Sequence, residues 1–312
     1  AGRTRPPTAV WGSMLGRLRA LDGLIVNLEC ALSTRGRPWR RTRRVFHFRA
    51  DPGWAVPALT GAGVDCCALA NNHVLDFETP ALRDTLASLD EAGVAHAGAG
   101  ETRRAAFAPA TVTLGALDVA VVSLTDNTPE YAATADSPGT AHVQFDLDDD
   151  RSRSAVAGAL AHARATDPDL IVASLHWGPN MVTDPPPRFR TFARWLVDEG
   201  VDVVHGHSAH VFQGVEVYRG RPVCYDTGDF VDDYAVDPSL RNDRSFLFVL
   251  VVDDDGTRAR LDLVPTVVAD RAVEAAGGRV AAWSRDRMRA LSTPFGTSFD
   301  RAGAGLSCRL DG

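Results

Sequence analysis

A chain of 312 residues, 45% apolar and 23% charged, can bury a large core and has the composition of a soluble globular protein, built as one large α/β domain or two smaller ones. Its net charge of −7 argues against general affinity for nucleic acid, and all 33 basic residues are arginine, which excludes Schiff-base and P-loop lysine chemistry. No apolar run approaches the roughly 20 residues of a membrane helix, and the opening AGRTRPPTAV lacks the apolar stretch of a secretion signal, so a cytoplasmic location is the default expectation.

The elements follow in chain order. Residues 24–26 read as a short buried strand that runs directly into Asn27, Leu28 and Glu29. An arginine-dense segment, RGRPWRRTRRVFHFR, then carries seven arginines from Arg35 to Arg49. Residues 54–62 read as a helix closed by glycine, and 65–70 as a strand running into Asn71, Asn72, His73 and Asp76. An amphipathic helix is expected over 80–92, with Leu82, Leu86 and Leu89 on one stripe. Residues 111–125 pattern as a hairpin, and the polar stretch 127–150 as surface loop. A helix over 152–165 precedes a buried strand over 169–175, which delivers His176, Trp177 and Gly178.

A helix over 189–198 leads to the apolar run 201–204, expected to break at once into the loop HGHSAH. The next segment alternates as a hairpin turning at Arg219 and Gly220, and 245–268 as a longer one turning at Asp254, Asp255 and Gly256. Beyond Asp270 the pattern is weak and coil is expected. No linker is evident, so the chain reads as a single domain. The five cysteines are odd in number and have no CxxC spacing; four lie in apolar or strand-like segments. Buried free thiols, and with them a reducing compartment, are the expectation.

Four motifs, NLE, NNH, HWG and GHSAH, each immediately follow a buried apolar strand. Strand ends converge on one edge of such sheets, where ligands bind. Glu29 offers a carboxylate, Asn72 an amide oxygen, and His176, His207 and His210 imidazoles. That set without thiolate suits Mn, Fe, Zn or Mg. His73 is placed as general acid beside the ligands, with Asp76 three positions on to orient its ring. Each residue alone has a plainer reading, Glu29 and Asn72 as turn caps and His176 as a core histidine; together they are more persuasive. His205 is a second choice as ligand, since on a continuing strand it shares a face with His207. His47, His96, His142 and His162 have no ligand neighbours in sequence.

The stretches VNLECALS, HFRADPGWAVPAL, LANNHVLDF, SLHWGPNM and VVHGHSAHVFQGVEVYRGRPVCYDTGDFVDDY, spread over about residues 11–265, resemble the CapA family, named for poly-γ-glutamate capsule synthesis and related to calcineurin-like metallophosphoesterases. The resemblance implies a four-layer αββα sandwich with a dinuclear metal site. By position, Glu29 stands as bridging carboxylate, Asn72 as amide ligand, His73 as the neighbouring acid, His176 as the isolated histidine ligand and His207 and His210 as the paired ones. Ser208 departs from the commonest form, in which another histidine lies between that pair. Arg49, within HFRADP, and Asn71 and Trp177, beside two of the ligands, are the candidates for substrate contact.

Family members open with a strand ending in Gly-Asp, and nothing before Asn27 fits it. The expectation from that departure is an apparently missing first strand, at most one tightly held metal and little activity. Two functions follow from different classes. One is a metal-dependent hydrolase of an anionic phosphoester or of an acidic polymer. The other is a non-catalytic, polymer-binding subunit of capsule synthesis or export.

Overall fold

Short runs of β-branched and small apolar residues alternate with capped amphipathic helices along the first half of the chain, and the result is mixed α/β. The computed structural model describes residues 5–253 and 258–310, which divide into two units. The first unit comprises the chain up to Ala9 and Arg17–His176, the second Val10–Gly16 and the chain from Trp177 onward. No helix among the described residues is long and apolar enough to cross a membrane.

In the first unit, β1 (Ile25–Asn27) starts a three-stranded parallel sheet. The helix α1 (Pro52–Ala62) begins because Asp51 caps it, accepting from the Gly53 amide at 2.8 Å, and Pro52 presets its first turn. It ends at Gly63, whose φ of 84° lets its amide turn back to the carbonyls of Leu59 and Thr60. Next come β2 (Cys66–Ala68), α2 (Glu78–Glu91) and β3 (Ala95–Ala97), with β2 central and parallel to both neighbours. A second group begins with the expected hairpin, β4 (Ala110–Leu114) and β5 (Leu117–Thr125), turning at Gly115 with φ 60°. After α3 (Asp150–Arg164), β6 (Leu170–His176) pairs in parallel with β5, aligning His176 with Thr125. All seven residues of β6 are buried, which explains its continuous apolar run.

The stretch 127–150 is more than surface loop. It holds a 3₁₀ turn at Pro129–Tyr131 and a two-residue strand at Gly139–Thr140, and it buries Tyr131, Ala141, Val143 and Phe145. Its polar composition hid these single apolar anchors.

In the second unit, α4 (Pro187–Asp198) buries Phe189, Phe192, Leu196 and Val197 at helical spacing. The following strand, β7 (Val203–His207), begins later than expected and runs through His205 and His207 instead of breaking before them. Gly206 signals close packing here, not a turn: a Cβ on it would sit 2.0 Å from the carbonyl oxygen of Tyr225. The hairpin β8 (Val215–Tyr218) and β9 (Arg221–Cys224) turns at Arg219 and Gly220, with φ of 51° and 69° as a primed turn requires. The long antiparallel pair β10 (Arg244–Val252) and β11 (Arg258–Ala269) also forms; its turn at 254–256 lies outside the described residues.

The chain beyond Asp270 is structured, contrary to the coil expected. It adds β12 (Ala272–Ala275), α5 (Gly278–Ser292), β13 (Asp300–Ala302) and β14 (Gly305–Arg309). β12 and β14 both pair with β11. Met288 and Leu291 of α5 pack with Phe246, Leu261, Leu263 and Leu306 into the core of this unit. The arginines and glycines of these short elements dilute the periodicity on which the sequence reading relied.

Candidate metal and proton-transfer site

The carboxyl ends of β1 and β2 lie side by side, since Asn27 pairs with Ala68. The Leu28 amide extends this pairing to the Ala68 carbonyl at 3.0 Å, and so places Glu29 beside the turn that follows β2. Asn71 fixes that turn. Fully buried, it donates from Nδ2 to Asn27 Oδ1 (3.1 Å) and to the Leu28 carbonyl (2.9 Å). Its Oδ1 accepts the amides of His73 (3.0 Å) and Val74 (3.1 Å). Asn71, named above for substrate contact, thus spends its amide within the fold and aims the residues after it.

Those residues include the candidate proton donor. His73 is 6% exposed, and its Nδ1 lies 2.5 Å from Oδ2 of the fully buried Asp76. A carboxylate only accepts, so Nδ1 carries the proton. The His73 Nε2 then faces Glu29 Oε1 at 3.9 Å, while the other Glu29 oxygen is 3.9 Å from His176 Nδ1 and accepts from Asn27 Nδ2 at 3.0 Å. His176 is 1% exposed and is held by its own carbonyl, which accepts from the Thr125 hydroxyl (2.9 Å). Separations of 3.9 Å are too long for hydrogen bonds.

Asn72 adds a donor of another type. Its Oδ1 is buried with no hydrogen-bond partner among the described residues, an arrangement that costs free energy unless another group uses the oxygen. The set of one carboxylate, one amide oxygen and imidazole matches the chemistry of a divalent cation site. Among the described residues, no three His, Cys, Asp or Glu side chains stand close enough to hold a metal by themselves. The acidic and imidazole donors come in pairs, and Asn72 is the further oxygen.

Sequence reasoning missed three participants. Arg44 reaches the site from the arginine-dense segment, donating from Nη2 to the Asn72 carbonyl and to Asp76 Oδ1 (3.3 Å). Tyr131 donates its hydroxyl to Asp76 Oδ1 at 3.0 Å. Asn27 supports Glu29 as described; its place two residues before Glu29 on one strand side is the one local signal that pointed to it. Arg49, singled out earlier, is exposed, donates to the Arg35 carbonyl at 3.0 Å and stacks over Phe77.

The second unit holds the other named residues. His205 and His207 share one side of β7, with ring centroids 5.1 Å apart, and burial holds the His205 imidazole down at about 4. Past the strand, Ser208 (φ 121°) and His210 (φ 60°) bend the chain sharply. The carboxylate of Asp226 clamps this bend, accepting the amides of Ala209 (2.7 Å) and Gly228 (2.8 Å), and burial pushes its pKa up to about 6. His210 Nδ1 lies 2.8 Å from Asp229 Oδ1. Burial and the neighbouring Asp232 carboxyl hold Asp229 well above the usual carboxylate range. Trp177, the third substrate candidate, is 3% exposed, stacks on Phe189 and donates Nε1–H to the Tyr225 carbonyl at 2.8 Å, so it packs within this unit.

A family model described as bacterial capsule synthesis protein PGA_cap matches residues 2–234. The chain is similar to a probable polyglutamine synthesis accessory protein of Mycobacterium tuberculosis, 34% identical over an alignment of 297 residues that covers 92% of this chain and 77% of that protein. It is also similar to the capsule biosynthesis protein CapA of Bacillus anthracis, 32% identical over 67% of this chain and 49% of that protein. The PGA biosynthesis protein CapA of Bacillus subtilis is 30% identical over 69% of this chain and 54% of its own length. The alignments thus span about half of each of these two CapA proteins.

Proposed function

The chain belongs to the CapA family of bacterial capsule synthesis proteins, and on that premise we propose that it is a metal-dependent hydrolase of an anionic phosphoester or of an acidic polymer. The observation that carries the reading is the His73–Asp76 pair, 2.5 Å apart, whose far imidazole nitrogen faces Glu29 at 3.9 Å; Asn72, directly before His73, has a buried Oδ1 with no hydrogen-bond partner among the described residues. A purely binding site has no need for a histidine oriented in this way.

Within the first unit, Glu29, Asn72 and His176 would hold a divalent ion; His207 and His210 are proposed as metal ligands on the strength of the family resemblance. When bound, such an ion polarises the scissile group and lowers the pKa of water. The rest is done by the chain. The water oxygen bonds to phosphorus or to the carbonyl carbon as the P–O or C–N bond breaks, and the departing oxygen or nitrogen takes a proton from His73 Nε2. The proton lost by the water passes to solvent, from which His73 is recharged. Asp76 holds Nδ1–H throughout, which keeps the ring oriented and balances the positive charge of the imidazolium before transfer. Buried Asn71 keeps His73 and Glu29 in register.

A second reading has support in the relatives' names, which describe accessory and biosynthesis proteins: a subunit that binds polymer without cleaving it. One experiment separates the two. The protein is incubated with manganese and either an aryl phosphate or poly-γ-glutamate, with His73→Gln as control. Release of phenol or of shortened polymer, abolished in the variant, supports the hydrolase; saturable polymer binding without product, equal in both proteins, supports the binding subunit.

A further inference from the structure

The Asp76 carboxylate is fully buried and receives four donors, as many as its lone pairs accommodate. Oδ2 takes His73 Nδ1–H at 2.5 Å and the Phe48 amide at 2.7 Å; Oδ1 takes the Tyr131 hydroxyl at 3.0 Å and Arg44 Nη2 at 3.3 Å. Of the four, only Arg44 brings a permanent positive charge. A buried carboxylate deprived of its cation is strongly disfavoured. Arg44 is itself tied into the fold. Its Nη1 donates to Thr128 Oγ1 at 2.7 Å, its Nη2 also reaches the Asn72 carbonyl, and its guanidinium lies 5.0 Å over the Tyr131 ring. Glu130, a nearby acid, is held below the usual carboxylate range chiefly by the Thr42 hydroxyl and in smaller part by Arg44.

We propose that Arg44 is a positioning residue that, through Asp76, fixes the His73 ring with its Nε2 turned toward Glu29. One guanidinium nitrogen, Nη2, ties the backbone of Asn72, directly before His73, to the side chain of Asp76 at the far end of the turn that His73 opens. The arginine therefore sets which imidazole nitrogen bears the proton and where the other one points. Three of its hydrogen bonds run to protein acceptors and its side chain is only 13% exposed, which suits Arg44 to holding the turn rather than gripping substrate. The catalytic consequence rests on the reading of His73 as proton donor; the orientation of the ring does not.

Long-range ¹H–¹⁵N spectra of the imidazoles test this without any substrate, with the His73 signals assigned from their loss in His73→Gln. At a pH where the ring is neutral, wild type is expected to show His73 protonated at Nδ1. Arg44→Met should shift a large fraction to the Nε2–H tautomer, Arg44→Lys should keep most of the Nδ1–H form, and Tyr131→Phe, which removes a neutral donor, should keep it too. A folded Arg44→Met protein with the wild-type tautomer overturns the proposal. So does a wild-type ring protonated at Nε2, a result that does not depend on any Arg44 variant folding. With a turnover substrate in hand, Arg44→Lys should lower kcat about tenfold and leave KM within about twofold. Absence of turnover in wild type would count against the hydrolase reading alone, leaving the spectra to decide on Arg44.

Discussion

His73 Nδ1 and Asp76 Oδ2 are 2.5 Å apart at the two ends of one turn, whose closing bond runs from the Asp76 amide to the His73 carbonyl at 3.1 Å. The ring is packed under Phe48, 4.3 Å away between centroids, and has little freedom to rotate. His73→Ala is therefore expected to lower turnover by about 10²–10⁴-fold, the range for loss of a general acid, with metal content unchanged. Parallel metal analysis and steady-state rates check it; loss of metal in the variant would make His73 a ligand.

The acid sensitivity of folding should change in His205→Gln. Burial holds this imidazole down at about 4, against about 6.5 in the unfolded chain, so its contribution is complete above about pH 6.5 and is lost as pH falls toward 4. Asp226, pushed up to about 6 by burial, acts oppositely in part of the same window, which is why the comparison must be with the variant and not across pH alone. Urea unfolding at pH 7 and pH 4.5 should show wild type losing on the order of 1–3 kcal/mol more than His205→Gln. Equal losses would mean that the ring is already well solvated.

The thiols should be inert in the folded protein. Burial pushes Cys30, Cys66 and Cys224 up to about 12, Cys67 well above its ordinary value, and Cys308 in the same direction. At pH 8 an aromatic disulfide reagent should titrate none of the five rapidly in native protein and all five in guanidinium chloride, because the thiolate is the reacting form. Fast reaction of even one native thiol would contradict the burial described.

Gly206→Ala is expected to cost about 1–3 kcal/mol. Its Cβ would meet the Tyr225 oxygen at 2.0 Å and the Cys224 oxygen at 2.8 Å, backbone atoms of the neighbouring β9 end that cannot swing aside. Denaturant midpoints of the two proteins measure it. A variant as stable as wild type would show that β7 separates from Tyr225 at little cost.

What was legible in the sequence follows from how local the signal was. Glycine marked the end of α1, although its start at Pro52 lies before the expected residue 54, and the three-residue spacing of His73 and Asp76 forecast their contact. Arg44 could not be told from its six arginine neighbours, because what distinguishes it is a carboxylate 32 residues away. Tyr131 was hidden in a polar stretch for a similar reason: it is buried by contacts from Trp39 and Asp76. Gly206 looked like a loop signal because a glycine required by a close neighbouring strand and one required by a turn are identical in sequence. The elements after Asp270 escaped notice because most of their partners lie on β11 or are short and exposed.

The measurement that bears most directly on the functional reading is the divalent metal content of the purified protein, by mass spectrometry, beside Asn72→Ala and His176→Ala. Asn72 Oδ1 is a buried acceptor without a hydrogen-bond partner among the described residues, and Glu29 stands 3.9 Å from His176. The reading predicts bound Mn, Fe, Zn or Mg in wild type, its loss or strong weakening in both variants with the fold retained, and a lower unfolding temperature of wild type after chelation. Wild-type protein that holds no metal after incubation with each of these ions, and whose unfolding temperature is indifferent to them, would contradict it.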